Sequence, residues 1–155
     1  MFVRHGVLTE TEVKSRYEIQ LDTYVKIIEV EAKTMLNMAR REVLPAAIGY
    51  SDELASGLAA KASIGLDIEK TADKRLIDRL MKLNDKLLKA IEKLEKDVKA
   101  SSAKKESLEI AEYHRDVIIP DMDKLRAISD ELETIVDKAY WNFPTYTEIL
   151  SSVMY

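Results

Sequence analysis

Leu76-Ile-Asp-Arg-Leu-Met-Lys-Leu-Asn-Asp-Lys-Leu-Leu-Lys-Ala-Ile-Glu-Lys-Leu-Glu-Lys-Asp-Val98 is the stretch that decides the fold. Leu76, Leu80, Leu83, Leu87, Ile91, Leu94 and Val98 recur at steps of 4, 3, 4, 4, 3 and 4 residues, which lines up one face of an α-helix. The stretch lies inside the 54 residues from Leu66 to Ile119, which contain neither Gly nor Pro. A run without backbone breakers, rich in Leu, Lys, Glu, Asp and Ala, forms long helices. Asp78–Lys82, Asp85–Lys89, Glu92–Lys96 and Glu95–Lys99 place acid before base at i, i+4, so the charges make a solvated outer face worth roughly 0.2–0.5 kcal/mol per pair. No segment alternates apolar and polar residues with strand-type composition, so the chain is expected to be all-α.

Upstream, Thr9 and Glu12 form a capping box that opens a first helix. Its stripe of Tyr17, Leu21, Tyr24, Ile28, Ala32, Met35 and Ala39 repeats the same steps. Each stripe averages about 3.67 residues per step, a period that favours straight packing over a left-handed coil. Pro45 should kink that helix and Gly65 should end it. Downstream, Ser101-Ser102 is the expected turn and cap into a third helix. Leu108, Ala111, Ile118, Met122, Leu125, Ile128, Leu132, Ile135 and Ala139 form its stripe, and Pro120 interrupts it. Thr145 and Glu148 form a second capping box before a short terminal helix. The expected organisation is one helical domain over 1–155, built from a junction segment 1–8, a kinked helix 9–65, helices 69–100 and 103–140, and a terminal helix 145–153. Helices of about 30 residues are about 45 Å long, which gives an elongated antiparallel up-down bundle of three to four long helices, kinked near Pro45 and Pro120.

Composition narrows the function. With 155 residues there is room for one sizeable core. The chain has no cysteine, which excludes disulfides, thiolate metal sites and cysteine nucleophiles and suits a reducing cytoplasm. The 24 basic against 28 acidic residues give a net charge of −4, with no basic stripe for nucleic acid. The 69–100 helix carries ten positive and seven negative charges, but not on one side, so a membrane surface is not an expected partner either. No uncharged run is long enough to span a bilayer, and no secretory signal opens the sequence.

The search for chemistry finds little. His114, in Glu112-Tyr-His-Arg-Asp116, belongs to neither a HExxH motif nor a Glu-x-x-His pair, and reads as a helix residue rather than a ligand. Glu109, Glu112 and Asp116 share a face that reads as solvated. The four glycines are too far apart for a phosphate loop. Tyr17 and Tyr24 read as core residues. The expected catalytic, cofactor-binding and metal-ligating residues are therefore none. One cluster falls outside the stripes: Tyr140, Trp141, Phe143, Pro144 and Tyr146, which either cap the bundle end or dock on another domain or subunit.

Several segments resemble a known family. Ser15-Arg-Tyr-Glu-Ile19, Ala39-Arg-Arg-Glu-Val-Leu-Pro-Ala-Ala47 and Trp141-x-Phe-Pro-Thr-Tyr146 are similar to the C-terminal region of type III glutamine synthetases, and His5-Gly-Val-Leu-Thr9 to the junction ahead of that region. Asn142 departs from the pattern, which would have Pro after the Trp. The resemblance implies a helical tail without an active site, attached to a cytoplasmic ligase that joins ammonia to glutamate through a γ-glutamyl phosphate. ATP and Mg²⁺ or Mn²⁺ are implied for that parent only. The implied partners are the parent's catalytic domain and neighbouring subunits of a double-ringed oligomer. The alternative reading is a free-standing helical adaptor that binds a partner helix; a metal-dependent bundle enzyme is the third.

Overall fold

The computed structural model describes residues 5–104, 106–144 and 146–152, and only the backbone of Tyr146, Thr147 and Ser152. Its regular structure is helical throughout, with no strand among the described residues. The elements are α1 (Glu10–Met38), a π turn (Ala39–Val43), α2 (Leu44–Ser63), α3 (Ala72–Ser101), α4 (Ser107–Tyr113), a second π turn (His114–Ile118), α5 (Ile119–Glu133) and α6 (Tyr146–Ser152).

The helix ends follow local chemistry. The Glu12 carboxylate accepts from the Thr9 N–H at 2.7 Å, and the Glu12 N–H donates to the Thr9 hydroxyl at 3.2 Å, completing the capping box at the start of α1. Gly65, at φ 82°, closes α2. Its N–H donates to the Ala62 carbonyl at 2.9 Å and the Leu66 N–H to the Lys61 carbonyl at 3.3 Å, the paired bonds of a Schellman cap. Thr71 caps α3 by accepting from the Lys74 N–H at 3.3 Å, so this helix begins at Ala72 rather than at 69.

Each proline follows a π turn. The Leu44 N–H reaches back five residues to the Ala39 carbonyl, and the Ile119 N–H to that of His114. Pro45 and Pro120 then occupy the first turns of α2 and α5, where a missing N–H costs least. The wider π turn makes room for the ring beside the preceding carbonyls.

Two helix boundaries differ from expectation in the 103–140 stretch. Ser101-Ser102 does not cap a helix beginning at 103: Ser101 ends α3, and α4 starts at Ser107 after an extended Glu106. The stretch is also not helical to 140, since α5 ends at Glu133. Beyond it the Asp137 carboxylate accepts from the Ala139 N–H at 2.7 Å and the Asp137 carbonyl from the Tyr140 N–H at 2.9 Å, local bonds that compete with the helical ladder. The expected cap at Thr145 lies outside the described residues.

The chain divides into two compact units, Met1–Asn37 with Lys89–Arg126, and Met38–Leu88 with Ala127–Tyr155. In the first unit the buried residues are Ala32, Leu36, Ile91, Leu94, Val98, Ala111, Ile118 and Leu125, with Ser101, His114 and Asp121 among the polar ones. In the second they are Ala39, Val43, Ala46, Ala47, Leu58, Ile77, Leu80, Leu83, Leu87, Leu132, Val136 and Trp141, with Ser51. Both units use the α3 stripe as expected. The α1 stripe is different: Tyr17 is 49% exposed, and no residue from Glu10 to Glu31 is fully buried. The core placement of Tyr17 is therefore corrected. Of the expected surface pairs, Glu95–Lys99 forms at 3.0 Å, whereas Asp78 bonds back to Lys74 at 3.0 Å.

Candidate interaction surfaces

In the first unit, polar side chains converge where the C-terminal part of α3 meets α4 and α5. Asp121 is 4% exposed and sits in the first turn of α5. Lys93 donates to one carboxylate oxygen and Lys124 to the other, the latter at 3.1 Å. Lys93 also donates to Asp97 at 3.0 Å, and Asp97 accepts from the Tyr113 hydroxyl at 3.2 Å. Burial alone raises the Asp121 pKa, but the hydrogen bonds from Lys93 and Lys124 outweigh it and hold the carboxyl below its usual range. The same contacts, from Asp121 first and Asp97 second, push the Lys93 ammonium up. Every member of the set is engaged with another, so it is a closed structural network.

His114 is 2% exposed, deeper than its sequence context implies. Its Nε2 lies 3.0 Å from the Ser101 hydroxyl, and its Nδ1 has no partner among the described residues. A neutral ring with the proton on Nε2, donating to Ser101, leaves only a bare lone pair at Nδ1; the other tautomer would strand a buried N–H. Burial lowers the His114 pKa, partly opposed by the Glu29 carboxylate. The register foretells both buried polar residues. Ala111, His114, Ile118, Asp121 and Leu125 follow at steps of 3, 4, 3 and 4, so His114 and Asp121 share the apolar face.

The aromatic cluster lies in the second unit. Trp141 is 7% exposed and meets the Phe143 ring edge-on, centroids 5.7 Å apart. Its buried Nε1–H has no acceptor among the described residues. Tyr140 lies 5.8 Å from the Tyr50 ring and 3.2 Å from where a Cβ on Gly49 would stand, so a larger residue there would press on the Tyr140 ring. Burial and a hydrogen bond with Glu53 raise the Tyr140 pKa. Phe143 is half-buried and Pro144 exposed, while the Tyr146 side chain lies outside the described residues. Trp141 and Tyr140 are thus anchored inward, and only the outer part of the cluster faces solvent.

Sequence reading missed an apolar surface on α1. Ile19, Ile27 and Val30 are 61%, 52% and 64% exposed, on the side of the helix away from Ala32 and Leu36. A second, open groove in the same unit is lined by Tyr17, Leu21 and Leu108 with Lys14, Glu18 and Asp22. Among the described residues no group of three or more His, Asp or Glu side chains could hold a metal ion, and no helix is long and apolar enough to cross a membrane.

Residues 1–62 match the family model described as glutamine synthetase C-terminal domain. A glutamine synthetase of Butyrivibrio fibrisolvens is 36% identical over 154 residues, covering 99% of this chain and 22% of that protein. The type-3 glutamine synthetase of Dictyostelium discoideum is 27% identical over 97% of this chain and 21% of its own length. A glutamine synthetase of Bacteroides fragilis is 26% identical, again over 97% and 21%. The chain spans about a fifth of the length of the curated relatives it matches. With similarity extending over nearly all of its residues, the chain belongs to the glutamine synthetase C-terminal domain family.

Proposed function

We propose that this chain is the C-terminal helical domain of a type III glutamine synthetase, a part without its own active site that serves packing, assembly or regulation of the parent. The observation that carries this reading is the lopsided match: 99% of the chain against 22% of a relative that is 36% identical. On this reading the parent ligates glutamate and ammonia in the cytoplasm with ATP and Mg²⁺ or Mn²⁺. The residues described here offer no carboxylate or imidazole set that fits the ion, so metal and nucleotide are assigned to the parent's catalytic portion. The partners are that portion and neighbouring subunits.

The same reading takes residues 1–155 as one helical domain, an antiparallel up-down bundle bent near Pro45 and Pro120. Pairings within each unit support it, since one residue number rises as its partner's falls. Lys61 bonds Asp73 and Ser51 bonds Asn84 in one unit; Lys93 bonds Asp121 and Ser101 bonds His114 in the other. Tyr140, Trp141, Phe143, Pro144 and Tyr146 are retained as a contact surface, with the outward Pro144 edge meeting the partner.

The test is an assay of ATP-dependent glutamine formation and γ-glutamyl transfer on the 155-residue chain with Mg²⁺ or Mn²⁺. No turnover is expected. Turnover that stays with the chain through purification would end the proposal.

A further inference from the structure

We draw no further inference here: the strongest candidate, the exposed apolar row Ile19, Ile27 and Val30 on the outer face of α1, carries none because nothing in the structure shows what covers it.

Discussion

Two fully enclosed residues, Leu87 and His114, illustrate what one side chain contributes. Leu87 is 0% exposed in the middle of the α3 stripe. Truncation removes transfer energy and leaves a cavity, so Leu87→Ala should cost about 2–5 kcal/mol in denaturant unfolding. A loss below about 0.5 kcal/mol, typical of surface sites, would mean that this face is not enclosed. His114 is nearly as deep but can ionise, and burial lowers its pKa in the folded chain. The unfolded chain therefore binds the proton more readily. Stability tied to His114 is complete above the unfolded value of about 6.5 and declines as pH falls through it. His114→Gln keeps a donor for Ser101 and cannot titrate. It should flatten the stability slope between about pH 6.5 and 5, and equal slopes in the two proteins would refute the burial account.

At the scale of elements, the caps and stripes that rest on local chemistry were legible in the sequence, and those that rest on neighbours were not. The capping box at Thr9 and Glu12 needs only its own four residues and stands as read. The α3 stripe shows the same periodicity in sequence and in burial, from Leu80 to Val98. Periodicity also marks a face on α1, yet its N-terminal half stays solvated, because a repeat says which residues share a side and not what covers it. The end of α5 was missed because no Gly or Pro marks it: the Ile135 N–H already leaves the helical ladder for the Leu132 carbonyl at 3.0 Å, and Asp137 then bonds within its own turn. A sequence does show that Pro45 and Pro120 disturb a helix, but the disturbance takes the form of π turns, which depend on carbonyl geometry. Gly65 offers a clean test of an element boundary. A Cβ there meets nothing within 4 Å, so only the left-handed backbone resists substitution. Gly65→Ala should cost about 1–2 kcal/mol of thermal or denaturant stability, and no loss would mean that the cap contributes nothing.

For the whole molecule, the family assignment was legible through ordered motifs spread along the chain, whereas the surfaces were not, because exposure depends on tertiary placement. The buried ionic network was legible only in part: the register puts Asp121 on the apolar face, but the pairing with Lys93 and Lys124 depends on how α3 and α5 lie together. This network and His114 together set a pH window. Asp121 has a lowered folded pKa, so its stabilisation is complete above the unfolded value of about 3.9 and is lost as pH falls through the folded one. Lys93 has a raised folded pKa, so its share is present below about 10.4 and is lost as pH climbs beyond the folded value. Stability should therefore be greatest between roughly pH 6.5 and 10, with the His114 decline first on the acid side and the Asp121 decline below it. Protonation of the many other carboxylates also drives acid unfolding, so the comparison must be between variants. Asp121→Asn removes the titrating group while keeping its shape. It should lower stability at pH 7, where two ammonium groups lose a shared negative charge and one of its two acceptor oxygens, and narrow that gap steadily below about pH 4. Unfolding free energies measured from pH 2.5 to 7 provide the check, and a gap that stays constant with pH would show that Asp121 acts through shape alone.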